Sequence, residues 1–432
     1  MALRRRLWFG WFALAFFACD EPADASPPEP PSESRRCGPL LPGIEGPHET
    51  AEYWIERART FSDPDDVLLR PAAIHVHNKR VAHLHGGFLS PASLGPPDAL
   101  LADRLDSMAE GIASGGLVEA SGARLPRRVL SRARVLDSLR LQESHHVALE
   151  AVPVRCAPIP FPLFRTPVDE RFDRNLCSTL RPQELVQVLG QVSGGMLYVR
   201  TARVAGFITT DAPLSPSLSP EETSAFQNGP YRFTTRSSDD GEGAPFVFLP
   251  ERNGEIIAAT PEGAASIEFE GMSTRRDLTR RSFLETAFSL LGQPYGWAGK
   301  DGYDCSRLVL TVGETFGLRL PRNSRQQARA GTEEQSVSRD LSDEARIEAF
   351  DAALRRGIVL LEFPGHIMVY LGRSEEGTPM VLHAIAEYVE ACEGEEHLRE
   401  IYRVVVSDLS LGEESHRGSL LQRVEHVAVL GP

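Results

Sequence analysis

The chain has 432 residues, and at about 150 residues per domain this length predicts two to four domains. Hydrophobic residues make up 41% and charged residues 25% of the chain, which predicts a buried core and excludes a largely disordered protein. The 46 basic and 60 acidic side chains give a formal net charge of -14, which argues against a nucleic-acid binder with a basic surface.

The first predicted element is an export signal. The basic residues Arg4–Arg6 precede an apolar stretch from Leu7 to Ala18, an order that is typical of a secretory signal peptide. The end of this stretch, just before Cys19, resembles the lipobox of bacterial lipoproteins. We therefore expect residues 1–19 to be a lipoprotein-type signal peptide with a lipid on Cys19. A competing cleavage after Ala25 would discard Cys19, but both alternatives predict export.

A tether is predicted to follow the signal. Residues 20–47 are rich in Pro, Ser and Glu, and such a composition cannot offset the entropy of ordering by burial. We expect this segment to be disordered and to hold the folded part of the chain near a membrane. The sequence leaves open whether Cys37 and Cys392 are paired.

Residues 48–147 are predicted to form an N-terminal region of mixed helix and loop, with helical periodicity over residues 100–108. Two alternating pairs of histidines in this region would each share one face of a strand. No Cys or carboxylate joins them at the spacing of metal ligands, so we interpret them as ordinary strand histidines. These histidines are His75, His77, His83 and His85.

Short alternating strands separated by Pro, Gly and Asp predict two small β-barrels, over residues 148–213 and 214–275. Both Cys156 and Cys177 fall in the first barrel, and the spacing leaves open a disulfide or two buried thiols. The predicted strands are Gln187–Val192, Met196–Val199, Val204–Ile208, Phe246–Leu249 and Gly254–Ala258.

A candidate nucleophile lies in the last part of the chain. A helix predicted over Thr279–Leu291 is followed by a glycine-broken aromatic loop, Gln293–Gly299, and then by a second helix. Asp304 is the expected N-cap of that helix. This places Cys305 in the first turn, where unpaired N–H groups and the helix dipole favour a thiolate. A lone cysteine is commonly a buried structural residue, so its partners decide the interpretation.

Two predicted strands supply histidines as partners. His366 begins the strand Gly365–Gly372, and His383 lies in the strand Met380–Ala384. A cysteine paired with a histidine, and a third polar group that orients the histidine, is the standard arrangement for thiol nucleophilic catalysis.

These motifs resemble, in the same order, those of the NlpC-type cysteine peptidases, which are papain-like bacterial enzymes that cut peptidoglycan stem peptides. Arg307, where many members carry Gly, is similar to a subset with an N-terminal stabilising region and two bacterial SH3-like barrels. The resemblance implies an α+β fold in which a papain-like catalytic domain over 276–432 follows the two barrels. The matching strings are Pro294–Gly299, Asp304–Leu308, Phe316–Gln327 and Gly365–Gly372.

The resemblance also implies residue roles. Cys305 would be the nucleophile, His366 the base and His383 the residue that orients it. The implied reaction is hydrolysis of the amide between γ-D-glutamate and the diamino acid, with no metal or organic cofactor. The residue beside the nucleophile would help bind the free amino group of L-Ala. The implied substrate-site residues are Asp304, Ser306, Ser324, Trp297 and Tyr198.

The sequence departs from the family pattern at two places, Ala298 in a loop that usually reads Trp-Gly-Gly and Met196 where the first barrel usually has Trp. The expected partners are peptidoglycan stem peptides and, through a lipid on Cys19, a membrane. The expected location is the bacterial cell envelope, facing the periplasm. Two alternatives stay open: a non-catalytic peptidoglycan-binding lipoprotein, and a papain-like thiol acyltransferase or amidase.

Overall fold

The N-terminal region is helical. The computed structural model describes residues 38–85, 99–234, 246–268 and 272–432, so the predictions for Cys19 and Cys37 lie outside the described residues. Helix α3 confirms the helical periodicity predicted over residues 100–108. The first elements are a 3-10 helix (Gly46–Glu49), α1 (Ala51–Ala58), β1 (Val67–Leu69), α2 (Pro71–His85), α3 (Ala99–Ser114) and α4 (Arg132–Ser138).

Helix α2 contains all four histidines of the two alternating pairs, so the prediction of strand histidines was wrong. Residues two apart lie about 200° apart around a helix, so each pair does not share a face. Pro71 begins the helix and two alanines follow it, an opening that favours helix over strand. The buried ring of His77 contacts the carbonyl oxygen of Ala330 at 2.6 Å and thereby attaches α2 to the C-terminal part of the chain.

Part of the predicted tether is packed against the fold. Leu40 and Leu41 contact a core cluster of the C-terminal sheet, and Tyr388 donates a hydrogen bond of 2.8 Å to the carbonyl oxygen of Leu40. The prediction of disorder up to residue 47 was therefore wrong for residues 38–47. Cys392, four residues beyond Tyr388, is disulfide-bonded.

A six-stranded antiparallel sheet follows the N-terminal helices, with the strand order β2-β5-β6-β7-β3-β4. It begins at Arg140, ahead of the predicted boundary at residue 148, because β2 pairs with β5 over its length. A disulfide joins Cys156 to Cys177, which resolves the alternative left open by the sequence. Its strands are β2 (Arg140–Val147), β3 (Val152–Arg155), β4 (Leu176–Leu180), β5 (Leu185–Val192), β6 (Met196–Arg200) and β7 (Ala205–Thr209).

A smaller sheet comes next, with the strand order β11-β10-β9-β8-β12. The two sheets lie where the two barrels were predicted, and their SH3-like character stays a prediction. The elements of this part are α5 (Pro220–Asn228), β8 (Tyr231–Phe233), β9 (Phe248–Arg252), β10 (Glu255–Thr260), β11 (Gly263–Ile267) and β12 (Ser273–Thr274).

The C-terminal part is built on a second six-stranded antiparallel sheet, with the order β14-β19-β15-β16-β17-β18. The fold is thus α+β, as predicted. Within the described residues no helix is both long and apolar enough to cross a membrane. The elements are β13 (Leu278–Thr279), α6 (Arg280–Phe288), a 3-10 helix (Trp297–Gly299), α7 (Cys305–Thr315), α8 (Ser324–Gln327), β14 (Glu333–Ser336), α9 (Asp343–Leu354), β15 (Ile358–Phe363), β16 (His366–Arg373), β17 (Pro379–Cys392), β18 (Glu395–Asp408), α10 (Leu420–Arg423) and β19 (His426–Leu430).

Two apolar layers cover the faces of this sheet. Ile367 and Val369 pack in one layer with α6 and α7, and Met368 and Tyr370 pack in the other with α9 and α10. Side chains of the strand that begins at His366 thus alternate between the two layers. Since both faces are covered, every residue of β15 is buried, which explains its nearly continuous apolar sequence. Truncation of one such buried Leu or Ile to Ala typically costs about 2–5 kcal/mol.

One residue of the otherwise apolar strand β15, Glu362, is acidic. Glu362 is only 1% exposed, and neither of its carboxyl oxygens has a hydrogen-bond partner. Burial raises the pKa of Glu362 to about 7, with Arg325 and Arg329 opposing the shift and Glu425 adding to it. The folded state therefore holds a proton that the unfolded chain releases at lower pH. The free energy of unfolding must fall as the pH rises from the unfolded value, near 4.3, through about 7.

We expect Glu362→Gln to remove this pH dependence. The variant should gain about 2–3 kcal/mol in unfolding free energy over the parent protein between pH 5 and pH 8, because its amide does not ionise. Urea unfolding at both pH values measures the difference. The exposed Glu348→Gln is the matched control and should follow the parent. An equal pH dependence in the Glu362 variant and the parent would contradict burial of the ionisable carboxyl.

Candidate active site

The first turn of α7 holds the predicted nucleophile. Asp304 is the N-cap, and its Oδ1 accepts a hydrogen bond of 2.8 Å from the backbone N–H of Arg307, which confirms the predicted cap. Cys305 is 7% exposed at the start of the helix. The thiol thus lies at the positive end of the helix dipole, a setting that stabilises a thiolate.

The structure brings the two predicted histidines to the same place. The Cys305 sulfur lies 3.9 Å from the carbonyl oxygen of Gly365, the residue directly before His366. On the neighbouring strand β17, His383 places its Nδ1 2.8 Å from the Nε2 of His366. The hydroxyl of Ser407 on β18 lies 3.0 Å from the Nε2 of His383. His366, His383 and Ser407 therefore form a row of side chains at hydrogen-bond distance, and the Cys305 sulfur lies against the residue that precedes His366. Ser407 was missed in the sequence.

Burial favours the neutral form of both histidine rings. It lowers the pKa of His366 well below the ordinary value, and the nearby His383 and Arg423 lower it further. Burial alone lowers the pKa of His383 to about 3. A neutral His366 can accept the thiol proton, and a neutral His383 can accept a hydrogen bond from His366.

A buried ion pair lies beside the nucleophile. Two nitrogens of Arg322 donate to the two carboxylate oxygens of Asp304, and Arg322 also donates to the hydroxyls of Ser306 at 2.7 Å and Ser178 at 3.0 Å. Burial would raise the pKa of Asp304, but the ion pair with Arg322 and the hydrogen bonds from Arg307 and Ser306 outweigh it and lower that pKa. Asp304 is thus an ionised residue that is already engaged. Arg322 stood in the matching string but was not recognised.

Helix α8 is hydrogen-bonded to the first turn of α7, which carries Cys305. Ser324 is buried at its first position, after the N-cap Asn323. The side chain of Gln327 donates hydrogen bonds of 2.8 Å to the carbonyl oxygens of Ser306 and Pro321. Gln327 thereby ties α8 to the first turn of α7, so Ser306 and Ser324 are held close to the same site.

An aromatic loop and the first sheet meet at this site. The indole N–H of Trp297 donates a hydrogen bond of 2.8 Å to the carbonyl oxygen of Asp173, and the ring centroid of Phe172 lies 5.4 Å from that of Trp297. The guanidinium of Arg174 lies 4.7 Å from the Trp297 ring centroid, within the range of a cation–π interaction. A segment of the first sheet thus positions the predicted substrate residue Trp297.

Residues 292–402 match the model of the NlpC/P60 family. They form an NlpC/P60 domain. Proteins of this family are in general cell-wall cysteine peptidases, which assigns the domain to the hydrolases. Among the described residues, no group of three or more His, Cys, Asp or Glu side chains is arranged to hold a metal ion.

One solved structure shares the fold, and a second is similar over part of the chain. An NlpC/P60 endopeptidase from Photobacterium damselae subsp. piscicida is 15% identical, with a TM-score of 0.66 over 87% of this chain and 97% of its own. An NlpC/P60 family protein from Bacillus cereus ATCC 10987 is 15% identical, with a TM-score of 0.44 over 67% of this chain and 100% of its own. No curated protein is significantly similar to the sequence. The first of these structures shows that the fold extends well beyond the NlpC/P60 domain.

Ala298 occupies a glycine-like conformation in the NlpC/P60 domain. Its φ of 56° and ψ of 21° lie in the left-handed region, which costs a residue with a Cβ roughly 1–2 kcal/mol. This explains why the family pattern has Gly at the position. Ala298 is buried between Trp297 and Gly299, and the aromatic loop therefore carries backbone strain next to the site.

The second departure, Met196, and the predicted substrate residue Tyr198 both lie in the core of the first sheet. Tyr198 is 3% exposed, and its ring packs against Phe207 with 5.4 Å between centroids. Tyr198 belongs to a different core cluster from Cys305. Trp297 instead packs against Phe172, which no sequence signal marked.

Arg307 connects the NlpC/P60 domain to the first sheet. Its buried guanidinium donates a hydrogen bond of 3.2 Å to the carbonyl oxygen of Thr179 on β4, which a Gly at this position could not do. Burial lowers the pKa of Arg307 to about 9. Nearby, Glu314 of α7 forms ion pairs with Arg181 and Arg203 of the first sheet. Three arginines thus share this interface with Glu314 and one further carboxylate, Glu184.

We expect Glu314→Gln to destabilise the protein by about 3 kcal/mol, because it leaves Arg181 and Arg203 in a buried interface with less compensating charge. Chemical denaturation followed by tryptophan fluorescence measures the loss, since Trp297 lies at the same junction. The control is again Glu348→Gln on the exposed face of α9, which should cost less than about 0.5 kcal/mol. A loss no larger than that of the control would show that the interface does not depend on these pairs.

Proposed function

We propose that the protein is a cysteine endopeptidase of the cell wall that hydrolyses the amide between γ-D-glutamate and the diamino acid of peptidoglycan stem peptides. One observation carries the chemistry. Cys305, in the first turn of α7, lies against Gly365 and is followed by the hydrogen-bonded pair His366 and His383. The choice of bond rests on the resemblance of the motifs around these residues to those of the NlpC-type peptidases.

The reaction uses the thiol and the two rings in sequence. His366 accepts the thiol proton, and the Cys305 thiolate attacks the amide carbonyl carbon to give a tetrahedral oxyanion. The backbone N–H of Cys305, at the start of α7, would donate a hydrogen bond to that oxyanion. His366 then donates its proton to the leaving amine of the diamino acid, which leaves a thioester on Cys305.

Water completes the cycle. His366 removes a proton from a water molecule that attacks the thioester carbonyl, and the proton returns to the Cys305 sulfur as the bond breaks. The γ-carboxylate of the glutamate is released. Throughout both steps His383 accepts a hydrogen bond from His366 Nε2, which keeps the other ring nitrogen of His366 directed to the proton transfer.

The groups around the thiol favour a short peptide with a free amino end. The contacts of Phe172 and Arg174 with Trp297 bring the loop between β3 and β4 against the aromatic loop, and this additional wall favours a short peptide over a long one. The amino group of L-Ala would bind the carboxylate of Asp304, which also accepts hydrogen bonds from Arg322. We propose released stem peptides as the substrate on these grounds.

We further propose that the protein is exported to the bacterial cell envelope and held at a membrane by a lipid on Cys19. The arrangement of Arg4–Arg6, the apolar stretch before Cys19 and the Pro-rich segment after it supports this location. A peptidase held in this way would face the peptidoglycan directly.

Residues 26–432 should cleave L-Ala-γ-D-Glu-diaminopimelate at the γ-glutamyl bond, and Cys305→Ala should lower the rate by at least about 10⁴-fold because it removes the nucleophile. Mass spectrometry of the products identifies the bond. The N-acetylated peptide should be cleaved at least about tenfold more slowly, because acetylation removes the charged amino group that Asp304 would bind.

Other outcomes favour the alternatives. Retained binding without cleavage by the parent protein would favour a peptidoglycan-binding lipoprotein. Transfer of the acyl group to an added amine would favour an acyltransferase. Equal rates on the free and acetylated peptides would contradict the amino-end preference but not the peptidase.

A further inference from the structure

We propose that Ser407 is a positioning residue for the thiol chemistry, a fourth member after Cys305, His366 and His383. Its hydroxyl would accept the hydrogen bond from the one N–H that His383 must carry while the thiolate forms. This inference rests on the proposed function and names a residue that the motifs did not indicate.

Ser407 lies at the buried end of the row formed by His366, His383 and Ser407. The hydroxyl oxygen lies 3.0 Å from Nε2 of His383, whose Nδ1 lies 2.8 Å from His366. Both Ser407 and His383 are 0% exposed, so solvent does not reach the bond between them. In the register of β17 and β18, Val381 is opposite Ser407 and Val405 is opposite His383, so the two polar residues are diagonal neighbours among apolar ones.

Proton counting fixes the direction of each hydrogen bond. When His366 has taken the thiol proton, both of its ring nitrogens carry hydrogen, so Nε2 must donate to Nδ1 of His383. A neutral His383 that accepts at Nδ1 carries its own proton at Nε2. That N–H points at Ser407, which must then accept. The thiolate–imidazolium state therefore requires an acceptor at the position of Ser407.

The charged groups near His366, His383 and Ser407 interact with residues other than His383. Arg423 and His383 affect His366, and Arg322, paired with Asp304, lies near Cys305. For His383 the only cause of its lowered pKa is burial. Loss of the hydroxyl would leave a buried donor without a partner in the reactive state, which corresponds to about a ten- to hundredfold loss in the population of that state.

The test compares Ser407→Ala, Ser407→Thr and Ser407→Val, each in the protein of residues 26–432 that is used for the cleavage assay. Ser407→Ala should lower kcat/KM on the stem peptide by about ten- to hundredfold with little change in KM. It should also move the pH profile of Cys305 alkylation by iodoacetamide upward by about one pH unit, because the thiolate–imidazolium pair is disfavoured. The control is Ser415→Ala, which likewise removes a buried serine hydroxyl. That hydroxyl donates to the backbone carbonyl of Gly412, so its loss should change neither measurement.

The pair of β-branched variants separates this role from folding. Thr and Val have nearly the same shape, so Ser407→Thr should keep the alkylation profile of the parent, whereas Ser407→Val should behave like Ser407→Ala even if the latter folds poorly. Equal profiles for Thr and Val would overturn the proposal. So would nitrogen NMR that finds the His383 proton on Nδ1 in the parent at a pH where Cys305 is ionised. The alkylation profile needs no substrate, so it tests Ser407 even if the stem peptide is not cleaved.

Discussion

A buried ion pair between Asp304 and Arg322 is the interaction on which the rest of the site depends. The same carboxylate caps α7, and the same guanidinium binds the hydroxyls of Ser306 and Ser178. The pair therefore fixes the start of the helix, and with it the thiol, against both the loop before α8 and the first sheet. Removal of either charge would leave the other buried without compensation, so the position of the nucleophile and the stability of the domain contact depend on one pair.

The histidine row is positioned by a different device, the register of three neighbouring strands. Each polar residue comes from its own strand, His366 from β16, His383 from β17 and Ser407 from β18. A slip of one residue in either pairing would turn the affected side chain to the opposite face of the sheet. The apolar layers on both faces oppose such a slip, because it would expose one apolar set and bury polar groups. The packing of the core and the alignment of the histidine row are thus specified by the same strand register.

Local signals in the sequence predicted the parts of the site that local structure determines. Asp304 before an apolar periodic run predicted a capped helix, and it places Cys305 correctly. The pairing of His366 with His383 depends on strand register, which the separate strands do not reveal. Arg322 reaches Asp304 across a loop, and Ser407 ends a run of valines that differs little from any buried strand. For the histidines of α2 the local pattern gave the wrong element, since alternation over a few residues does not exclude a helix.

The contacts of residues 38–41 give the folded body a defined point of attachment. Arg399 on β18 donates to the carbonyl oxygen of Gly38, and Tyr388 on β17 donates to that of Leu40. These are the same two strands that carry Ser407 and His383. The seating of residues 38–41 and the alignment of the two histidines therefore depend on the same pair of β-strands, so a displacement of this hairpin would disturb both.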